Sequence, residues 1–434
     1  MLSRRLFLGM TPLFSAALAG APREDDWPRW RGPDDNGMAR GDAPLRWSDT
    51  QNVAWKIATP GLGHSSPIVW GDRLFLTTAE PVGGAAETGV RQGNFGSRET
   101  QPEHRLLVLC YDRNTGKELW RHSPRTVSPH EGYHRRYGSH ASNTPVTDGK
   151  HLYAWFGSRG LFCYTLDGKL VWQYDPKVRL RMRNAFGEGT PTVLAGDLLL
   201  LNYDHEGDSF LLALDKTTGK VRWRVSRDEP SSWAPPLVVT HAGQQQVITS
   251  ATNKVRAYNL ADGSLIWECG GLGTNAIPAP VVADGTVYVM TGHRDPNLLA
   301  IKLGGKGDLT GSGAVLWTTQ RGTSYTPSPV LFEGKLYMLT DSGMLSCLDA
   351  RTGEPHYRQQ RLPKPYNFKA SPVAANGKLY LASENEDVIV VRMGPRYEVL
   401  ATNTMADQTF IATPAIVDGT IYLRSTQNLY CVRG

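Results

Sequence analysis

Residues 370–383 read ASPVAANGKLYLAS, and this stretch decides the fold. Two small residues lead into Pro372-Val373. A turn follows at Asn376-Gly377, then an alternating run Lys378-Leu379-Tyr380-Leu381. Two short strands joined through Asn-Gly are a β-hairpin signal. A lone hairpin cannot bury its apolar face, and this chain repeats it. The phrase returns as SSPIVWGDRLFL at 65, NTPVTDGKHLYA at 143, GTPTVLAGDLLLL at 189, APPLVVTHAGQQQVI at 234, APVVADGTVYVM at 279, SPVLFEGKLYML at 328 and ATPAIVDGTIYL at 412. The anchoring prolines 67, 145, 191, 235, 280, 329, 372 and 414 are spaced by 78, 46, 44, 45, 49, 43 and 42 residues. All but the first gap fit the roughly 40–50 residues of a four-stranded propeller blade.

Each hairpin is followed by a second pattern, a small residue, x, Asp, then Thr-Gly-Lys and a Trp. It is clearest at Asp112 to Trp120 and at Asp215 to Trp223. The Thr-Gly step supplies a turn with positive φ, and the Trp is a large apolar plug between neighbouring sheets. Weaker copies end in Trp172, Trp267 and Trp317. The sixth closes on Tyr357, and the seventh is worn down around Tyr397. The eighth ends at Gly434 after three strands, while residues 52–58 carry Trp55 with no hairpin before it. These features predict an all-β chain, an eight-bladed propeller of four-stranded antiparallel blades, its ring closed by the N-terminal strand at 52–58. Closure leaves only short, protected edges.

Residues 1–19 read as an export leader, with Arg4-Arg5 before an apolar run and a small-x-small cleavage site at Ala17-Leu18-Ala19. The paired arginines resemble a twin-arginine signal. The expected location is therefore periplasmic or secreted, with no membrane span after the leader is removed. The formal net charge of +6 includes two charges from the leader, and the rest is scattered. That pattern argues against a nucleic-acid partner. Cys110, Cys163, Cys347 and Cys431 share one repeat position, filled elsewhere by Ala213, Ala257 and Ala300, and read as small core residues. Residues 20–51 form an arm with Trp27 and Trp30, expected to clamp the barrel flank. Blade one is lengthened by insertions at 80–105 and 121–141. The second holds His122, His130, His134 and His140 with Glu131, Arg135 and Arg136. It reads as a loop or a basic aromatic surface, with metal binding the lesser alternative. Residues 304–313, GGKGDLTGSG, read as a flexible loop on blade five.

The Asp-x-x-Thr-Gly-Lys-x-x-Trp repeat resembles the PQQ-like propeller repeat over residues 52–434. WPRWRGP at 27 and ASNTPVTDG at 141 are similar to exported members of that superfamily with no established activity. The resemblance implies two kinds of relative: quinoprotein alcohol dehydrogenases, and the propeller lipoprotein of the outer-membrane assembly machinery, a scaffold. Loops preceding the innermost strands should ring one channel mouth with His64, Asn143, Glu188, Trp233, Asn275, Tyr325, Lys369 and Phe410. In the dehydrogenases Glu and Asn hold calcium, an Asp is the base, a Trp lies under the quinone and adjacent cysteines cover it. Here Glu188, Trp233 and Asn275 are matching types, and Lys369 would join them around PQQ. No carboxylate lies between Thr318 and Ser328, and no two cysteines are adjacent. The alternative to calcium binding is that Glu188 pairs with Arg181, Arg183 or Lys369. Sequences of the GxSxG, HExxH and Walker types are absent. The expectation is a monomeric, non-catalytic binding or scaffold module with no cofactor. Its mouth, with His134, Arg135 and Arg136, would face a cell-envelope protein, peptide or saccharide. The alternatives are a PQQ- and calcium-dependent alcohol or sugar oxidoreductase, its base a loop carboxylate such as Glu131, and a structural envelope module.

Overall fold

The computed structural model describes residues 26–83 and 95–434. The leader at 1–19 and residues 84–94 of the first insertion lie outside them. The strands of the described residues fall into eight sheets, and the ring closes as the repeats require. Val53–Ala58 pairs antiparallel with Asn428–Arg433, placing Trp55 opposite Cys431 and Ile57 opposite Leu429. The first and last parts of the propeller thus share one sheet.

The register explains the small residue of the repeat. Trp120 stands opposite Cys110, Trp172 opposite Cys163, Trp223 opposite Ala213 and Trp317 opposite Ala300. Each pairing is followed by a bulge, where the third strand must accommodate an indole. A larger residue there would compete with the ring for the same space. All five cysteines are buried and free.

The indoles also latch each blade to the next. Nε1 of Trp55, Trp120, Trp172, Trp223 and Trp317 donates to the backbone oxygen of Arg113, Leu166, Lys216, Leu260 and Ala350 respectively, at 2.9–3.1 Å. Each acceptor lies in the turn of the following blade. The turn is held by its own Asp: Asp215 Oδ1 accepts from the backbone N–H and hydroxyl groups of both Thr217 and Thr218. Its glycine lies against the incoming indole. A Cβ on Gly219 would stand 2.6 Å from Trp172, and one on Gly353 2.7 Å from Trp317.

Blade five breaks this scheme and corrects the expectation of a flexible loop at 304–313. In place of a Thr-Gly turn, Gly307–Asp308 runs parallel to Trp267–Glu268 and adds a fifth strand to blade four. The Leu309 N–H donates to Glu268 O, and the Gly270 N–H to the Thr310 hydroxyl. Trp267, lacking the usual turn, donates to Gln246 within its own blade. Blades six and seven substitute tyrosines: Tyr357 and Tyr397 stand edge to face at 5.8 Å, and the Tyr397 hydroxyl donates to Arg361 O.

The arm does more than clamp the flank. Trp27 exchanges both backbone hydrogen bonds with Val69 on the innermost strand of blade one. Thr147 of blade two donates to Pro28 O, and the Trp30 indole donates to the Thr413 hydroxyl of blade eight. The Arg31 guanidinium donates to Pro372 O and Pro329 O, on blades seven and six. Ala39 and Gly37 then bracket Ala374 with backbone bonds. Only after this crossing does the arm reach the flank, where Trp47 stacks on Tyr380 at 6.4 Å. The segment around Trp27–Ala39 therefore plugs the channel at the mouth formed by the hairpin turns. The buried Trp27, the half-buried Trp30 and the buried Arg31 guanidinium are what hold it there.

Candidate functional site

The opposite mouth stays open. A cavity of about 180 Å3 lies between the plug and solvent, with Trp30 in its lining. Of the expected ring, the structure brings together His64, Glu188, Trp233, Tyr325 and Lys369, with His134 from the blade-one insertion. The insertion reaches this place because Glu118–Val127 continues the outer strand of blade one past Trp120. Residues 121–127 of the expected insertion are thus strand. The chain then folds back: the His134 N–H donates to Phe186 O, and the His64 N–H to Ala141 O. Ser139 Oγ accepts from the His64 N–H, so the serine and histidine phrases there are structural joints.

Four expected residues lie elsewhere. Asn143 is buried and donates to Thr190 O at 2.7 Å, joining blade two to blade three. Phe410 is fully buried in a hydrophobic cluster. Asn275 lines a neighbouring cleft and donates to the Tyr325 hydroxyl at 3.2 Å. Arg135 is exposed outside the cavity, while Arg136 bridges the mouth to Glu384 of blade seven at 3.2 Å.

The walls are aromatic. His134 stacks on Tyr137 at 3.5 Å and stands 4.9 Å from Phe186, which in turn lies 6.4 Å from Trp233. The Trp233 indole is aimed by its bond to Gly187 O at 2.8 Å. Burial, with Lys369 and Arg136 nearby, pushes the His134 pKa down to about 4. Burial and the Arg424 charge push that of His64 to about 3. Both imidazoles are therefore neutral at pH 7.

The charges of the mouth are paired, with partners other than those expected. Glu188 faces Arg159 at 3.5 Å and accepts from the Ser158 N–H, in place of Arg181, Arg183 or Lys369. Lys369 lies 2.8 Å from Asp341 and 3.8 Å from Glu384, with its ammonium 4.6 Å from the centre of the Tyr137 ring. Asp341 also accepts from the Tyr325 and Thr326 N–H groups. Sequence reading found no carboxylate near Tyr325 because Asp341 arrives from the loop joining the second and third strands of blade six. Arg159, Glu384 and His293 occupy the same kind of loop in their own blades. This mouth is thus built from two concentric rings of loops, and only the inner ring follows the repeat phrase.

The set expected around calcium and a quinone is divided: Glu188 Oε2 accepts from the Ser158 N–H, Oε1 faces Arg159 without a hydrogen bond, and Asn275 lies in the neighbouring cleft. Among the described residues no group of three or more His, Cys, Asp or Glu side chains is placed to hold a metal ion. Glu131, considered as a base, is buried outside the cavity. It accepts from the Met182 N–H and from Arg98, and burial raises its pKa. Among the described residues no helix is long and apolar enough to cross a membrane.

Comparison with known proteins agrees with this architecture. The chain is 24% identical over 291 residues to the outer membrane protein assembly factor BamB of Yersinia pestis, covering 63% of this chain and 66% of that one, slightly under two thirds of its length. The solved structure of BamB from Moraxella catarrhalis superposes with a TM-score of 0.59 at 11% identity, covering 88% of this chain and 99% of the other. The quinohemoprotein alcohol dehydrogenase of Comamonas testosteroni superposes with a TM-score of 0.61 at 10% identity, covering 94% and 80%. At such identities the superpositions carry the fold alone. The family model described as outer membrane protein assembly factor BamB matches residues 104–309 and 306–399, and the chain belongs to that family of PQQ-like propellers.

Proposed function

We propose that this protein is a non-catalytic recognition module of the cell envelope, capturing its partner at the open mouth. One observation carries the reading: the cavity has aromatic walls, yet its carboxylates already serve as acceptors. Glu188 is held by Arg159, and Asp341 by Lys369 and two backbone N–H groups. A general base must reach a substrate proton, and Glu188 is buried with the Arg159 guanidinium 3.5 Å from its free oxygen. A binding surface needs shape, aromatic area and charges held in place. Membership of a family described by an assembly factor supports an envelope partner and a periplasmic setting, as does the export leader read from the sequence. Lys369 and Trp233 would be the principal contacts, with His134 and Arg136 forming one rim.

The competing reading is a PQQ-dependent dehydrogenase, and the two separate in solution. Calorimetric titration with PQQ and calcium is expected to give no saturable heat and no thermal shift, whereas a ligand of the native state stabilises it by mass action. One-site binding abolished by Glu188→Gln would overturn the recognition reading in favour of an oxidoreductase.

A further inference from the structure

Beside the cavity lies a second, larger cleft of about 600 Å3, lined by Arg98, Arg183, Glu206, Asn275, His293 and Arg294. The two share a wall. Asn275 donates to the Tyr325 hydroxyl at 3.2 Å, and His293 stacks on the Tyr325 ring at 4.9 Å. Tyr325 itself lines the first cavity. Cleft and cavity therefore lie side by side at the mouth, with Asn275, His293 and Tyr325 between them.

Two features of the pair point to a ligand. The first is charge: three guanidinium groups face one carboxylate. Arg98 is held by Glu131 and Arg183 by Glu206, but Arg294 makes no ion pair among the described residues. The second is a set of buried polar atoms without partners. Asn275 is 2% exposed and its Oδ1 has no hydrogen-bond partner. His64 Nε2, Thr326 Oγ1 and Glu188 Oε1, all on cavity-lining residues, also lack one. A buried polar atom left unpaired is costly, so such atoms mark places where a bound group can donate or accept.

We infer that the cavity and cleft together bind an acidic oligosaccharide, a sugar ring against Trp233 and its carboxylate or sulfate on Arg294. The inference rests on the reading of this mouth as the recognition surface. Sugar hydroxyls both donate and accept, which suits an orphan set of carboxamide oxygen, carboxylate oxygen, hydroxyl and neutral imidazole. Sugar rings present apolar faces that suit the aromatic walls. The planar guanidinium of Arg294 recognises an oxyanion through paired N–H groups. An acidic peptide would match the charge but would seek a strand edge for its backbone, and cavity and cleft are walled by loops.

Calorimetric titration of the mature chain tests this with four probes: trigalacturonate, a heparin-derived tetrasaccharide, neutral cellotriose and penta-glutamate. At least one acidic sugar should bind at one site, ten-fold or more tighter than cellotriose, and which one binds separates carboxylate from sulfate. Arg294→Gln, at an exposed side chain, should weaken that binding ten-fold or more with an unchanged melting temperature. Asn275→Asp keeps the size of the side chain and should weaken it through repulsion of the anion. Heat from neither acidic sugar would overturn the inference, as would indifference to Arg294→Gln. Penta-glutamate binding as tightly would overturn it in favour of a peptide. If the sugars fail while substitutions at Trp233 and Lys369 still abolish partner capture, the recognition reading stands and only the ligand class falls.

Discussion

The two mouths of the channel are made by the same eight repeats and have opposite fates. At one, Trp27 and Arg31 are almost fully buried, and Arg31 donates to carbonyls of two different blades. At the other, Lys369, Asp341, Arg136 and Glu384 face one another from separate loops around a cavity. The repeat specifies sheets and latches and says little about the ends. The ends are finished by segments outside the repeat: an arm that plugs one, and a blade-one insertion that roofs part of the other. The plug is bound through backbone and aromatic contacts that no small ligand could replace. The open mouth is held by ion pairs that a ligand could rearrange.

The largest expected effect separates plug from mouth. Trp27→Ala removes a buried indole and should cost about 3–5 kcal/mol in urea unfolding. Trp233→Ala, at a cavity wall, should cost less than half as much; equal losses would mean that the open mouth is also structural core. Lys369→Ala should weaken partner capture, and because its side chain is largely buried against Asp341 and Glu384 it should also lower stability, by about 3 kcal/mol. Acid comes next. His64 and His134 have pKa values pushed down to about 3 and about 4, against ~6.5 unfolded. The unfolded chain gains those protons first, so stability present above about pH 6.5 is lost as the pH falls towards 4, by about 1.4 kcal/mol per pH unit for each histidine. The raised pKa of Glu131 acts in the opposite sense. Arg31, lowered to about 9, stays charged throughout this window, whereas burial raises the pKa of Asp35 in the plug, which acts in the same sense as Glu131. A urea midpoint unchanged between pH 7.5 and 5 would contradict these assignments.

A smaller effect tests the latches that both mouths depend on. Gly219→Ala combines a φ of +68° with a Cβ 2.6 Å from Trp172, and should cost about 2–3 kcal/mol. Gly377→Ala has nearly the same φ with nothing within 4 Å, and should cost about 1–2 kcal/mol. Equal melting temperatures for the two variants would remove the steric part of the latch.

What the sequence revealed follows the same division. Blade number, the Thr-Gly turn and the Trp between sheets were legible because each is written several times, and the closing strand because it completes the last copy. The plug was not, because its residues occur once and their partners, Pro329 and Pro372, are some 300 residues away. Asp341 escaped because it belongs to the outer ring of loops, where neither residue type nor spacing repeats. Residues 304–313 misled for a related reason. Their glycine-rich composition suits a loop, but the absent Thr-Gly turn leaves an edge beside Trp267 that Gly307–Asp308 fills.

The most direct test of the account is site-specific photo-crosslinking in envelope fractions. A photoreactive phenylalanine is placed at Tyr325 in the open mouth and, separately, at Met38 in the plug segment, and the adducts are identified by mass spectrometry. The account predicts a discrete adduct from position 325, lost when Trp233→Ala is added, and none from position 38. Adducts from position 38 alone, or the same adducts from both, would contradict the claim that the open mouth is the recognition surface.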